Sequence, residues 1–168
     1  MPDEQRTLTF DPTALLDAEA EVVARTARGE VAVLEKSHTA VLRAAFLRHL
    51  LLGLSVAPEP WPIRLPGVRV CSAIIDGRLD LADCAGPSGA GVPSLTLESC
   101  AIPDGIDLCN ARLARPSLRG SRIGEVVARG LRVDGAMDIS RVSPFAETAW
   151  IDAHGAVVDG DLLCRGAR

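Results

Sequence analysis

Three aspartates at equivalent places in a repeated pattern are the strongest candidates for chemistry in this sequence. Asp80, Asp107 and Asp152 each stand directly before one copy of a six-residue unit. Carboxylates stacked on neighbouring strands raise one another's pKa, and such a pair can supply an acid and a base. Asp80 and Asp107 are therefore a candidate acid/base pair acting on a carbohydrate. The competing interpretation is a solvated face whose charge is offset by Arg112 and Arg132, and the lack of flanking aromatic residues favours it.

The other reactive residue types form no recognisable catalytic or metal-binding motif. His38, His49 and His154 have no Cys or Ser nucleophile at a recognisable spacing. Ser121 lacks the second glycine of a nucleophile elbow, and no Gly-Lys-Ser/Thr follows the glycine-rich segment 86–91. The sequence therefore assigns no catalytic residue, no cofactor and no metal ligand.

The five cysteines are Cys71, Cys84, Cys100, Cys109 and Cys164. An odd number of cysteines without close pairs fits neither a disulfide framework nor a metal site. We expect reduced thiols that are buried and pack as small apolar side chains.

These residues lie in a repeat that runs from Gly67 to Arg168. Its unit is an apolar residue, two variable residues, a small residue, one variable residue and an apolar residue. The nine copies start at Val70, Leu81, Leu97, Leu108, Leu118, Ala128, Ile139, Ala153 and Cys164. Six of the eight steps between successive starts are 10 or 11 residues, and the two longer steps contain the loop-like segments 85–93 and 143–148.

A step of this length excludes helix-pair repeats, which need at least about 30 residues each. Segments such as 94–98 and 105–109 alternate apolar and polar residues, as strands do. Because one unit recurs in the same sense, we predict a mainly β fold: a parallel β-solenoid of about four to five coils, with roughly 21 residues in each. The residues before alternate units should then stack in two columns: Asp80, Asp107, Val127 and Asp152 in one, and Arg69, Thr96, Ser117, Asp138 and Leu163 in the other.

The unit resembles that of the pentapeptide-repeat family. Residues 73–75, 100–102, 111–113 and 121–123 match the small residue, variable residue and aliphatic residue at the core of that motif. Gly67-Val-Arg-Val70 and Gly77-Arg-Leu-Asp-Leu81 resemble a divergent, arginine-rich branch from high-GC bacteria. The resemblance implies a right-handed parallel β-helix that follows a helical N-terminal cap.

The segment before Gly67 has a different pattern. Apolar periodicity predicts one helix that opens at Asp11-Pro12 and stops at Gly29, and a second from about Thr39 to Leu52. Residues 31–34 are a short strand or the lead-in to that second helix. We expect residues 1–57 to be a two-helix cap over the first coil, residues 58–66 a proline-rich linker with Trp61 against the cap, and residues 67–168 the β-helix domain.

The composition limits the classes of partner that we expect for this protein. The net charge is −4 and is spread over both parts of the chain, so there is no basic surface for nucleic acid. Aromatic residues make up only 3%, which suits a narrow interior. Neither a signal peptide nor an apolar stretch long enough for a membrane is recognisable, so we expect a cytoplasmic protein that does not bind a membrane.

These features favour a non-enzymatic repeat scaffold that binds an unidentified protein partner through flat faces. One alternative is a DNA-mimicking, topoisomerase-binding protein, an activity known in some pentapeptide-repeat proteins. Another is a carbohydrate-active β-helix enzyme. The last unit, Cys164–Arg168, stops before its final apolar residue, which predicts either a fragment of a longer repeat or an open C-terminal coil that pairs with a second copy.

Overall fold

The computed structural model describes residues 14–34, 40–53, 67–86, 89–147 and 149–167. In this part of the chain, short strands and two helices form a mainly β fold in which the strands pair in parallel. The predicted mainly β class is confirmed at this level. Neither described helix has the length and apolar character needed to cross a lipid bilayer.

The two helices are α1 (Asp17–Arg28) and α2 (Ala44–Leu52). The strands, in chain order, are β1 (Ala32–Val33), β2 (Val41–Arg43), β3 (Val68–Cys71), β4 (Ile74–Asp76), β5 (Leu79–Asp80), β6 (Leu95–Glu98), β7 (Ala101–Ile102), β8 (Ile106–Asp107), β9 (Arg112–Leu113), β10 (Arg122–Ile123), β11 (Val126–Val127), β12 (Arg132–Val133), β13 (Met137–Asp138), β14 (Ser143–Pro144), β15 (Ile151–Asp152), β16 (Val157–Val158) and β17 (Leu162–Leu163).

The strands belong to four sheets, which we call A to D. Sheet A contains β1, β3, β6, β13 and β17, and Ser117 bridges β6 to β13. Sheet B contains β2, β4, β7, β10 and β14, and sheet C contains β5, β8, β11 and β15. Sheet D contains β9, β12 and β16, with Val92 paired to Leu113 at its start. From β3 onward the chain therefore visits A, B, C and D in turn and then returns to A, if the single-residue bridges at Val92 in sheet D and Ser117 in sheet A are counted with the strands.

From β3 onward, paired strands lie 20 or 21 residues apart in the sequence, and 25 or 27 apart where the pair spans segment 143–148 or segment 85–93. Thr96 pairs with Ser117, and Ser117 pairs with Asp138 at the same separation. Arg112 pairs with Arg132, so the sequence separation of this pair is one residue shorter than that of the other two pairs. These separations match the roughly 21 residues expected for two repeat units. The predicted loop-like segment 85–93 lies between β5 and β6. The segment predicted at 143–148 is wrong at its start, because Ser143–Pro144 pairs with β10 as strand β14.

Each repeat unit forms a tight turn that leads out of sheet A or out of sheet C. The third residue of every unit has a positive φ, between 53° and 70°. The nine residues are Ser72, Asp83, Ser99, Asn110, Gly120, Gly130, Arg141, Gly155 and Gly166. Glycine adopts this left-handed conformation without steric cost, and Asn and Asp tolerate it better than other residues do. The fourth residue then points inward, and Ala73, Cys100 and Ala111 are buried as predicted.

Hydrogen bonds close most of these turns. In seven of the nine, the backbone N–H of the fourth residue donates to the carbonyl of the first at 3.0–3.3 Å. In the turn Leu97–Cys100 the hydroxyl of Ser121 takes the place of this bond. Ser121 is fully buried, accepts from the Cys100 N–H at 3.0 Å and donates to the Leu97 carbonyl at 2.8 Å. A small polar residue in the core therefore completes a turn of the neighbouring unit.

We predict that Gly120→Ala destabilises the protein by about 1 kcal/mol, because an L-residue is strained at positive φ. A Cβ on Gly120 would meet only the Ser99 hydroxyl, at an ordinary 3.5 Å, so crowding adds little. Chemical denaturation measures the change. Arg141→Gly is the matched control, since it removes a side chain from the same position of another turn, and it should leave stability unchanged or slightly raised. Equal losses in both variants would contradict the role of the left-handed residue.

The N-terminal segment differs from its prediction at both helix starts. Residues 14–16 are not helical, and α1 begins at Asp17 rather than at Asp11. Residues 41–43 are strand β2, so α2 begins at Ala44 rather than near Thr39. Leu16 is the N-cap of α1, and its N–H donates to the Glu19 carboxylate. The late start of α2 has a different reason: Val41–Arg43 pairs with β4, as Ala32–Val33 pairs with β3, which extends sheets B and A by one strand each. The predicted stops at Gly29 and Gly53 are confirmed, both with positive φ. The linker at 58–66 and Trp61 lie outside the described residues.

A buried carboxylate joins the beginnings of the two helices. Glu19 is fully buried and accepts hydrogen bonds from the Leu16 N–H at 3.0 Å and the Arg43 N–H at 3.1 Å. The Arg43 Nε donates to the same carboxylate at 2.8 Å. Burial alone would raise the pKa of Glu19, but these hydrogen bonds more than offset it and hold the pKa below its ordinary value. Glu19 thus fixes α1 over the strands that α2 follows.

We predict that Glu19→Gln lowers the free energy of unfolding by about 2 kcal/mol at neutral pH, because charged hydrogen bonds are lost in a buried site. The folded-state pKa lies below the ordinary 4.5, so this stabilisation is present above that pH and disappears as the pH falls through the folded value. Denaturation from neutral to acidic pH should therefore show the two proteins converging. Glu21→Gln, on the exposed side of α1, should cost less than about 0.5 kcal/mol. An equal loss of stability in both variants would show that the buried Glu19 carboxylate does not hold α1 over the strands.

Candidate functional site

The predicted column of aspartates lies along sheet C. Asp80 pairs in register with Asp107, Asp107 with Val127, and Val127 with Asp152. The second predicted column is also in register: Arg69, Thr96, Ser117, Asp138 and Leu163 follow one another along sheet A. Asp80 and Asp107 therefore stand on neighbouring strands, about 4.8 Å apart along the sheet, whereas Asp152 is separated from them by Val127.

Each of these carboxylates is used by the backbone of its own turn. Asp80 Oδ1 accepts the Ala82 N–H at 2.9 Å, Asp107 Oδ1 the Cys109 N–H at 3.0 Å, and Asp152 Oδ1 the His154 N–H at 3.1 Å. Asp138 on sheet A does the same with Ser140, at 2.8 Å. An aspartate that binds the N–H two residues further on is a turn-forming residue. The aspartates therefore recur in a column because each one forms the same hydrogen bond in an equivalent turn.

Arginines neutralise the column, but they are not the predicted ones. Arg48 of α2 lies 3.5 Å from Asp80, Arg78 lies 3.7 Å from Asp107, and Arg129 lies 3.5 Å from Asp152. Arg112 and Arg132 lie on sheet D instead, since a four-residue turn separates them from the aspartates. Arg112 pairs there with Asp134 at 2.8 Å. The prediction that Arg112 and Arg132 share the aspartates' face is wrong.

The protonation of Asp107 is unsuited to a general acid. Burial would raise its pKa, but the hydrogen bonds from Cys109 and the charges of Arg78 and Arg129 outweigh burial and lower it. A carboxyl that must give up a proton near neutral pH needs a raised pKa. Asp80 and Asp107 are adjacent, as the enzyme hypothesis requires. Their carboxylates, however, form hydrogen bonds and ion pairs that stabilise the turns and the sheet.

We predict that Asp107→Ala destabilises the fold by about 1 kcal/mol, whereas Asp107→Asn is close to neutral. The asparagine keeps an oxygen that accepts the Cys109 N–H, and the alanine does not. Chemical denaturation at neutral pH compares the two. If the asparagine variant loses as much stability as the alanine variant, the charge of Asp107 rather than its turn hydrogen bond is what matters.

Histidine and cysteine provide no reactive centre in the described ranges. His49 lies on α2, and burial lowers its pKa, while His154 lies in an exposed turn and His38 falls outside the described residues. Burial raises the pKa of Cys100 to about 11 and also raises that of Cys84. Such thiols stay protonated and unreactive at neutral pH. The prediction that all five cysteines are buried is wrong for the other three, because Cys71 and Cys109 are half-buried and Cys164 is exposed. No group of three His, Cys, Asp or Glu side chains within the described part could hold a metal ion.

None of three crevices bounded by described residues combines a nucleophile with a base. The largest, about 330 Å³, lies between α1 and β1, where Glu21 and Arg25 pair with each other at 3.2 Å. A second, of about 160 Å³, lies beside Leu51 and Leu52 and is largely apolar. The third, of about 40 Å³, is lined by residues near Pro144 and Trp150. These spaces offer no site for catalysis.

Sheet B presents a different surface from sheet C. One column of residues in register along its outer side is Val41, Ile74, Ala101, Arg122 and Ser143, and a second column begins with the charged Arg43 and Asp76. Only one of the five residues in the first column is charged, and Ile74 is 38% exposed. The Arg122 guanidinium lies over the ring of Phe145, 5.0 Å from its centroid. The repeat pattern singled out neither residue, because Arg122 occupies a variable position of its unit and Phe145 belongs to a predicted loop-like segment.

The chain matches no protein-family model, no curated protein and no solved structure.

Proposed function

We propose that this chain is a right-handed, four-sided parallel β-helix that acts as a non-enzymatic scaffold and binds another protein through sheet B. Strands that return to each of four sheets at a nearly constant sequence interval support the architecture. The right hand follows from the strong preference of parallel crossover connections for that sense. Four sheets visited in turn favour a square cross-section over a triangular one. Helices α1 and α2 cover the N-terminal end.

The scaffold function rests on one observation: the carboxylates that stack along sheet C are held by turn N–H groups and arginines. Groups engaged in this way are not free for acid/base chemistry on a substrate. The same ion pairs argue against imitation of duplex DNA, because a mimic needs an uncompensated row of negative charge.

Sheet B is the surface best suited to a protein partner. Protein interfaces are enriched in aromatic residues and arginine and depleted of other charged residues at their centre. Sheet B has an aromatic residue, an arginine and an exposed aliphatic residue of this kind: Phe145, Arg122 and Ile74. Ala101 and Pro103 lie between them. On sheet C, by contrast, binding would require desolvation of several ion pairs, which costs more than it returns. The partner chemistry that fits sheet B is an apolar surface with a carboxylate placed to meet Arg122.

We predict that a protein partner captured by the wild-type chain is lost when Arg122→Ala and Phe145→Ala are combined. Arg132→Ala is the matched control, because it removes an exposed arginine from sheet D and should leave capture unchanged. Chemical cross-linking and affinity capture from the native host, quantified by mass spectrometry, compare the three proteins. We expect the sheet B variant to reduce capture at least about tenfold, the scale of one interface anchor.

A partner retained by the sheet B variant, or lost equally with Arg132→Ala, would overturn the assignment of the binding face. Circular dichroism of all three proteins checks that each is folded before capture is compared.

A further inference from the structure

Exposed arginines are concentrated in residues 112–141 of a protein whose net charge is negative. This segment contains seven arginines and only three acidic residues, whereas the whole chain has a net charge of −4. All seven arginine side chains are exposed: Arg112, Arg115, Arg119, Arg122, Arg129, Arg132 and Arg141. A local concentration of positive charge on an acidic protein attracts an anionic partner to one place on its surface.

Two of the seven arginines are already neutralised by acidic side chains. Arg112 lies 2.8 Å from Asp134, and Arg129 lies 3.5 Å from Asp152. None of the other five forms an ion pair with a residue that the structure describes. Their charge is therefore available to a ligand that arrives from solution.

Three of these five arginines lie together where the chain passes from sheet A to sheet B. Arg119 and Arg122 flank one turn, and Arg141 lies in the equivalent turn of the next unit. The Gly120 N–H donates to the Ser140 carbonyl at 2.9 Å, which holds the two turns side by side. Because neighbouring strands are only about 4.8 Å apart, long side chains from both turns can reach one ligand. We call Arg119, Arg122 and Arg141 the arginine corner.

Serine residues accompany two of these arginines. Ser143 pairs in register with Arg122, and the Ser140 carbonyl accepts from the residue that directly follows Arg119. Both serines are half-buried. A hydroxyl can donate a hydrogen bond to an anion without adding charge, and a guanidinium binds a carboxylate through two parallel N–H donors. The donors at the arginine corner therefore suit carboxylate groups.

The backbone conformation of Arg141 gives a second, independent reason to assign binding to this corner. Arg141 has a φ of 57°, a left-handed conformation that strains an L-residue. The other eight described turns have glycine, serine, asparagine or aspartate at the same position. The Arg141 side chain forms neither an ion pair nor a hydrogen bond with a described residue. A strained residue whose long side chain does not stabilise the fold points to a role in recognition.

Two carboxylates share the surface next to the arginine corner. Glu98 stands beside Arg119 on the neighbouring strand, since the Ser99 N–H donates to the Arg119 carbonyl at 3.0 Å. Asp138 lies further along sheet A, and its carboxylate accepts the Ser140 N–H at 2.8 Å. The three arginines outnumber these two carboxylates, so the corner remains positively charged.

We propose that the arginine corner binds an acidic segment of a protein partner, with carboxylates of that segment placed on Arg119, Arg122 and Arg141. The proposal deepens the function proposed above and rests on it, because Arg122 also belongs to the binding face on sheet B. It adds the class of partner: a protein whose apolar contact with sheet B continues into a run of aspartates or glutamates.

Fluorescence anisotropy with a labelled hexaglutamate peptide tests the corner without the native partner. Arg141→Gly should leave stability unchanged or slightly raised, yet it should weaken binding at least about threefold, the scale of one exposed ion pair. Arg119→Ala combined with Arg141→Gly should weaken binding about tenfold. Arg115→Ala combined with Arg132→Ala is the matched control, because it removes the same charge from the same segment away from the corner. This control should weaken binding less than about twofold, since distant charges are screened by salt.

Several outcomes would overturn the proposal. One is the absence of hexaglutamate binding at about 1 mM peptide, the weakest affinity that is meaningful here. Another is equal weakening in the corner variant and in the matched control. Binding of hexaglutamine as tight as that of hexaglutamate would show that charge is not required. Tighter binding of a short duplex DNA than of hexaglutamate would contradict the assignment to a protein segment.

The neighbouring carboxylate supplies a test in the opposite direction. Glu98→Gln should strengthen hexaglutamate binding, because it removes a negative charge beside Arg119. Weaker binding in Glu98→Gln would contradict the placement of the peptide at this corner.

The peptide experiment and the capture experiment fail separately. If the combined Arg122→Ala and Phe145→Ala variant loses the partner but hexaglutamate does not bind the wild-type chain, only the arginine corner is contradicted. If hexaglutamate binding depends on Arg119 and Arg141 but capture survives in the sheet B variant, only the binding face on sheet B is contradicted.

Discussion

The fold depends on a backbone conformation that most residues avoid. Nine times in the described chain, the third residue of a repeat unit takes a positive φ so that the chain can leave one sheet and enter the next. Four of these residues are glycine, two are serine, and the others are Asp83, Asn110 and Arg141. An ordinary L-residue in this conformation costs on the order of 1 kcal/mol. The sheets can repeat only because the turns supply this conformation at each step.

Around these turns, the interior is filled by small and aliphatic side chains. Ala73, Cys100, Ala111 and Ser121 occupy the fourth position of their units, and all four are buried. The same position of two later units holds the larger Leu131 and Val142, which are also buried. Ser121 shows that the position also tolerates a polar group when that group takes over a turn hydrogen bond. Surface charge follows the same repeat, because aspartates before the turns bind backbone N–H groups and arginines in turn bind the aspartates. Turn formation thus explains both the core and the charged face.

Much of this fold could be predicted from the sequence, because the spacing of the repeat units indicates which residues pair with one another. The period predicted which residues stand in register, and both columns are confirmed, on sheets A and C. The positive φ at the third position was not predicted, although the recurrence of Gly, Asn and Asp there is a usable signal. The predicted start of α2 was wrong because β-pairing of Val41–Arg43 with β4 outweighs helical periodicity in a short apolar segment. The arginines that meet the aspartates were missed because Arg48 comes from α2 and its approach depends on packing between elements.

The same physics bears on function. We propose a scaffold rather than an enzyme, because the aspartates of sheet C stabilise turns and sheet B is the face better suited to contact with another protein. All of this requires that residues two repeat units apart pair side by side in sheet A. The most direct test is a solution NMR measurement of scalar coupling through hydrogen bonds. The account predicts couplings from the Leu97 amide nitrogen to the Ser117 carbonyl carbon and from the Leu118 nitrogen to the Asp138 carbonyl carbon. Couplings that instead join strands adjacent in sequence, as in hairpins, would contradict it.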